Sequence, residues 1–182
     1  MKTLRRLALL LLLSTLSVLA GCGKGDGPSF RATDITGADI GAQFRLTDHN
    51  GQTRTPQDFR GKVLVVFFGF THCPDVCPTT LGQLALALKQ LGADAARVQV
   101  VMITVDPERD TPEVLKQYVT ALDPHFLGLT GDAKEIAEAA AQFKVFYQKA
   151  AGEGGNYSID HSSSSFIIDP AGRLRLLVSN GQ

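Results

Sequence analysis

The chain of 182 residues lacks net charge, with 18 basic residues against 18 acidic ones. Lys2, Arg5 and Arg6 lie in a segment expected to be removed, and without them 15 basic residues face 18 acidic ones. Such a surface has no attraction for phosphate backbones, which argues against nucleic acid as a partner. No internal repeat is visible, so solenoid architectures fall away. Cysteine is scarce, with only three in the chain, an odd number that would leave one thiol unpaired in an oxidising compartment. No apolar run reaches the roughly 20 residues needed to cross a bilayer. What is present is ordinary: 44% hydrophobic and 20% charged residues, enough for one domain with a real core.

The first residues stand apart. Lys2, Arg5 and Arg6 form a positive start, and Leu7 to Ala20 is almost unbroken apolar sequence broken only by Ser14, Thr15 and Ser17. That length suits the core of a signal peptide. It ends in Leu19-Ala20-Gly21-Cys22, which resembles the bacterial lipobox, where cleavage leaves the cysteine as a lipid-modified N-terminus. The expected organisation is a lipoprotein-type signal peptide over 1–21, a Gly-rich tether over 22–32 with lipid on Cys22, and one folded domain over 33–182. The location that follows is the periplasm or another extracytoplasmic face of a bacterium, anchored to a membrane by the lipid. With Cys22 spoken for, Cys73 and Cys77 remain. A disulfide between them would close too small a ring to restrain the unfolded chain much, so the pair reads as chemical.

Phe44–Thr47 and Gln52–Thr55 flank Asp48-His49-Asn50-Gly51, and the Asn-Gly pair predicts a hairpin because both residues tolerate positive φ. Val63 to Phe70 is rich in β-branched and aromatic residues and reads as a strand covered on both faces. Pro78 to Leu91 carries Leu81, Leu84, Leu88 and Leu91 at helical spacing, with Gly92 placed to end it. Val98 to Val105 is a second buried strand. Thr111-Pro112-Glu113 opens a helix to about Leu122, and Asp132 caps another to about Phe143. Short strands are expected at 126–129, 144–149, 164–169 and 174–178. The order predicts an α/β sandwich with a mixed central sheet flanked by helices and an N-terminal β-hairpin extension. A cysteine pair after the first long strand and opening the first long helix is the thioredoxin-like arrangement. Such folds place a closing helix after the last hairpin strand, and none precedes Gln182.

The segment Phe68 to Pro78 sits at the carboxyl end of a central strand, where open α/β sheets hold their ligands. Pro78 suits the first helical position, which would put Cys77 at the N-cap, where unpaired amides favour thiolate. Two sulfurs call for a third donor. Among the four histidines, His49 reads as a solvated turn residue. His72 adjoins Cys73 on extended chain, where neighbouring side chains diverge. His125 follows Asp123-Pro124 at a helix end. His161 precedes Ser162–Ser165 and a strand, a loop that neighbours the cysteine loop in a thioredoxin-like sheet, and is the candidate donor. Two thiolates with one imidazole favour Cu(I) or zinc, and three donors satisfy trigonal Cu(I) while structural zinc takes four.

Gly69 to Pro78, Val105-Asp106-Pro107-Glu108-Arg109-Asp110-Thr111-Pro112 and Asp160-His161 before a strand are together similar to the Sco/SenC family, the synthesis-of-cytochrome-c-oxidase proteins. The resemblance spans the chain from about Ile40. It implies that Cys73, Cys77 and His161 ligate one copper ion, as Cu(I), Cu(II) or both. It also implies delivery of copper or of reducing equivalents to the CuA centre of cytochrome c oxidase subunit II, with another protein supplying the copper. Asp106 is read mainly as a turn residue that could also shape the site, and Asp160 as an acceptor that orients the His161 ring or meets a partner. The polar run Ser162–Ser165 is expected to loosen the His161 loop. The competing reading is a thiol–disulfide oxidoreductase or redox sensor using Cys73 and Cys77. Against it, thioredoxin enzymes use two intervening residues and a cis-proline, whereas no proline lies between Pro124 and Pro170.

Overall fold

The structure, a computed structural model, describes residues 30–151 and 157–180. The expected signal peptide, Cys22 and most of the tether lie outside the described residues. Arg31–Gln182 forms one compact unit, and among the described residues no helix is long and apolar enough to cross a membrane.

Among its described residues are ten strands and three α-helices. The strands are β1 (Thr33–Asp34), β2 (Leu46–Asp48), β3 (Thr53–Arg54), β4 (Val63–Gly69), β5 (Val98–Thr104), β6 (Leu127–Thr130), β7 (Tyr147–Ala151), β8 (Tyr157–His161), β9 (Ser165–Ile168) and β10 (Leu174–Val178). The helices are α1 (Val76–Leu91), α2 (Pro112–Leu122) and α3 (Ala133–Gln142). Eight strands form one sheet in the order β1-β10-β9-β4-β5-β6-β2-β3. β4, β5 and β6 run parallel, joined by α1 and α2, while β9 pairs antiparallel with β4 and β2 antiparallel with β6. This is the mixed, helix-flanked sheet expected from the order of elements, and the β2–β3 hairpin continues it at one edge.

β4 is buried from Leu64 to Gly69, as its continuous apolar run requires of a strand covered on both faces. Phe68, Phe143 and Phe166 pack edge to face with centroids 5.0–6.5 Å apart, joining strand, helix end and antiparallel strand in one aromatic cluster. The helix starts follow their sequence signals. Thr111 caps α2 through Val114 N–H with Pro112 at the first position, and Asp132 forms a capping box with Glu135 on α3. Two readings of α1 change. It begins at Val76 rather than Pro78, and Leu91 is exposed beside Gly92, whose φ of 57° ends the helix. Leu91 falls past the stretch that faces the sheet.

The hairpin between β2 and β3 is built differently from its Asn-Gly signal. Only Gly51 takes a positive φ (80°), so this is not the two-residue turn that needs φ > 0 twice. The loop folds around the buried Asp48 carboxylate. Its Oδ1 accepts the N–H groups of Asn50 and Gln52 at 2.9 Å, and its Oδ2 accepts Arg54 Nε at 2.8 Å. His49 is buried rather than solvated, its Nδ1 accepting Gly128 N–H at 3.1 Å and tying the hairpin to β6. Burial holds His49 below its ordinary pKa, which keeps Nδ1 an acceptor.

Burial works to raise the Asp48 pKa, but the bonds from Gln52, Arg54 and Asn50 outweigh it and hold the carboxyl below its usual range. A carboxylate with a depressed folded pKa contributes stability above its unfolded value and loses it as pH falls through the folded one. Asp48→Asn therefore destabilises the fold at pH 7 by about 1–3 kcal/mol in urea unfolding. The gap to the parent narrows as pH drops below about 4. An equal gap at pH 7 and pH 3 contradicts this account.

Candidate metal centre

β4 delivers the chain to Gly69 at the carboxyl edge of the sheet, and parallel pairing continues one step further as Val105 N–H donates to Gly69 O at 2.9 Å. Gly69 has no room for a side chain: a Cβ there would lie 2.7 Å from the Phe67 ring and 2.9 Å from Cys77 Sγ. The cysteine loop then turns on Thr71. Its N–H and its hydroxyl donate to the Asp110 carboxylate at 3.1 and 2.5 Å. Asp110 is fully buried and also accepts the Thr104 hydroxyl at 2.6 Å. Sequence reasoning passed over this residue, although it lies within the quoted Val105–Pro112 segment.

Beyond Thr71 the chain exposes His72, half-buries Cys73 and buries Cys77 completely. Cys77 is the second residue of α1, and its N–H points to Cys73 Sγ at 3.4 Å. That N–H at the helix start thus meets the Cys73 sulfur rather than the sulfur expected to gain from it. For Cys77 burial dominates and pushes the thiol well above its ordinary value, with the Cys73 sulfur and Asp110 acting in the same direction. The expected thiolate at Cys77 is corrected accordingly: in the metal-free site this thiol holds its proton, and binding a metal displaces it.

His161 reaches the pair from elsewhere. It is the last residue of β8, not a loop residue, and β8 pairs only with β7 in a two-stranded sheet. His161 Nε2 lies 3.5 Å from Cys77 Sγ, and Nδ1 lies 2.9 Å from the Ser162 carbonyl. A carbonyl can only accept, so Nδ1 carries the hydrogen and the Nε2 lone pair faces the sulfurs. Burial depresses the His161 pKa, leaving the neutral form that ligates metals. The rings of Phe67 and Phe70 meet the imidazole edge-on at 6.2 and 5.8 Å. The ligating atoms of Cys73, Cys77 and His161 all lie within 4.8 Å of one another.

The remaining candidates divide clearly. His72 is exposed and bonds to Thr71 Oγ1 at 3.2 Å, and His125 is exposed beside Asp123 at 3.1 Å. Neither joins the three donors. Asp160 is exposed and does not orient the imidazole, because the Ser162 carbonyl already holds Nδ1. Asp106 does more than turn the chain. Its backbone carbonyl accepts Arg109 and Asp110 N–H groups, while its buried carboxylate pairs with Arg109 and accepts the Tyr157 hydroxyl at 2.7 Å. Burial and that carboxylate push the Tyr157 phenol to about 12, so it remains a donor. The polar run after His161 is tied down rather than loose. Ser162 N–H donates to Phe146 O at 2.9 Å, Ser162 Oγ accepts Phe146 N–H at 3.2 Å, and Ser165 is buried in β9.

Two sulfurs and one imidazole nitrogen form a soft set suited to trigonal Cu(I). Among the described residues the group offers three donors, one short of a closed zinc site.

Comparison with known proteins gives a consistent picture. Residues 32–182 match the SCO1/SenC family. A SCO2-like protein of Rickettsia prowazekii is 43% identical over 136 residues, covering 74% of this chain and 66% of its own. The human mitochondrial SCO2 homolog is 43% identical over 132 residues, 71% of this chain and 50% of its own. The chain therefore spans half to two thirds of the length of these relatives. The structure of Bradyrhizobium japonicum ScoI with copper bound superposes with a TM-score of 0.73 at 41% identity, over 79% of this chain and 91% of that one.

The unequal burial of the two thiols is directly measurable. In the reduced, metal-free protein, iodoacetamide is expected to alkylate Cys73 at least about tenfold faster than Cys77, read by peptide mass mapping. Equal rates would show that Cys77 is not sequestered as described.

Proposed function

The chain belongs to the SCO1/SenC family, and from that premise we propose that it carries one copper ion on Cys73, Cys77 and His161 and hands it to the CuA centre of cytochrome c oxidase subunit II. The observation behind this reading is the convergence of three soft donors, two sulfurs and a neutral imidazole, within 4.8 Å at the carboxyl edge of the sheet. The copper is cargo. Cys77 sits in the core, while Cys73 is half-exposed, where an incoming acceptor can reach it. An acceptor thiolate can enter there and replace the carrier's donors one at a time, with no change in oxidation state required for Cu(I). Loading copper requires both cysteines reduced, and each protonated thiol releases its proton as it binds as thiolate. A separate copper donor protein supplies the ion.

The same reading places the protein outside the cytoplasm. Residues 1–21 act as a lipoprotein signal peptide, Cys22 carries the lipid, and 22–32 tethers the domain over 33–182 to the membrane. The support is the positive start, the apolar core and Leu19-Ala20-Gly21-Cys22.

One observation favours a second activity for the same pair. Cys73 is half-exposed and its sulfur receives the Cys77 N–H, an arrangement that also suits attack on a disulfide. Metal-free protein that rapidly reduces a CuA-domain disulfide would favour that role.

The reduced protein is expected to take up about one Cu(I) per chain. His161→Ala should lower copper retention sharply while leaving circular dichroism unchanged, since the ring contributes a donor at the edge of the core. Retention equal to the parent's would remove His161 from the ligand set.

A further inference from the structure

The third donor stands on an element that shares no strand pairing with the main sheet, so whatever holds β7 and β8 in place also sets the position of His161. Tyr157 opens β8 and His161 closes it, with Ile159 buried between them. At the His161 end the imidazole leans on Phe67 and Phe70. At the Tyr157 end the fastening is polar. The Arg109 guanidinium lies over the Tyr157 ring at 3.7 Å, and its Nη1 donates to the Tyr157 carbonyl at 3.0 Å. Arg109 Nε and the Tyr157 hydroxyl share the two oxygens of Asp106. On its other side the guanidinium is 6.0 Å from the Phe70 ring, the ring that also meets His161. Lys149 on β7 approaches the Tyr157 ring at 4.6 Å and pairs with Glu108 at 2.7 Å.

We propose that Arg109 and Tyr157 are positioning residues that latch the β7–β8 hairpin to the loop after β5, so that the latch sets how long His161 stays over the two thiols and hence how long copper is retained. This rests on the copper reading of the same site. With the latch closed, the imidazole completes a three-donor set. With it open, the hairpin carries His161 away and leaves the ion on two sulfurs, accessible to an acceptor thiolate. The fastening suits a device that must open. At the Tyr157 end it is made of a cation over a ring and hydrogen bonds, with Ile159 as the one buried apolar side chain of β8. One guanidinium nitrogen, Nη2, is buried there without a hydrogen-bond partner, which detracts from the closed state. Elements that move in function are drawn from the weaker parts of a fold.

The test uses the full chain, reduced and loaded with Cu(I), with bathocuproine disulfonate as competing chelator. Arg109→Gln is expected to release copper about tenfold faster than the parent, the scale of a partly desolvated cation–ring contact. Tyr157→Phe, which keeps the ring but loses the bond to Asp106, releases it faster by a smaller factor. X-ray absorption of both variants shows reduced nitrogen ligation with sulfur ligation unchanged. In a His161→Ala background Arg109→Gln adds no further acceleration, because the latch acts through the imidazole. A merely structural anchor would lower thermal stability without changing the nitrogen signal. Parental release rates in both variants, or full acceleration by Arg109→Gln without His161, would overturn the proposal. If Arg109→Gln does not fold, Tyr157→Phe carries the same comparison. A parent that fails to hold Cu(I) refutes the copper reading, whereas a parent that holds it beside unchanged variants refutes the latch alone.

Discussion

The site depends on a carboxylate that never touches the three donors. Asp110 is fully buried and takes hydrogen bonds from the end of β5, through Thr104, and from the first residue of the cysteine loop, through the Thr71 amide and hydroxyl. A buried carboxylate is tolerated only when its oxygens are satisfied, and here the satisfying groups come from two chain segments that must then stay together. The cysteine loop is therefore held by the protein rather than by an ion. Its two sulfurs face the same side before anything binds, so little ordering remains to be done on binding. Gly69 completes the constraint from below, because its missing side chain leaves the space that Cys77 Sγ occupies.

Burial then decides the protonation of the donors. A helix start and a low-dielectric core pull a thiol in opposite directions. At Cys77 the core wins, since burial outweighs the backbone hydrogen bond at Phe70 that works against it. The same core keeps His161 neutral. In the metal-free site the buried Cys77 thiol keeps its proton and the imidazole its neutral form, the less costly state for buried groups. A cuprous ion that displaces both thiol protons leaves the site with one net negative charge, so loading is favoured as pH rises.

How much of this was legible in the sequence follows the range of each interaction. Local signals read well: the apolar run of β4, the Thr111-Pro112 and Asp132 caps, and the cysteine pair opening a helix all depend on residues within one turn or one strand. The hairpin was placed correctly by Asn50-Gly51, but its mechanism lay in the Asp48 carboxylate, which looks like any turn aspartate until its three donors are seen. What sequence reading missed is set by partners far along the chain. His49 is buried because Gly128 comes to meet it, and Asp110 matters because Thr71 does. Tyr157 gains its role from Asp106 and Arg109. His161 could be nominated from the fold's usual geometry, yet its place on a strand of a separate sheet carries no strong periodicity. Ser162 looked like slack because a serine run is polar, and polarity does not reveal that its amide and hydroxyl are both engaged with Phe146.

The three donors differ in how firmly each is held, and that inequality suits the proposed copper carrier. Cys77 is fixed by helix and core, Cys73 by a loop at the surface, and His161 by a hairpin fastened mainly through side chains. Three donors on one rigid element would hold an ion well and release it slowly, whereas three mobile ones would release it readily but bind it weakly. Grading the donors separates the two demands. The buried thiol supplies affinity, the exposed thiol admits the acceptor, and the imidazole is the neutral ligand whose departure costs least in charge. In the proposed latch it departs with β8, so the step that opens the site is a displacement of packed structure rather than a rotamer change. Its rate can then be set by residues such as Arg109 that never meet the ion.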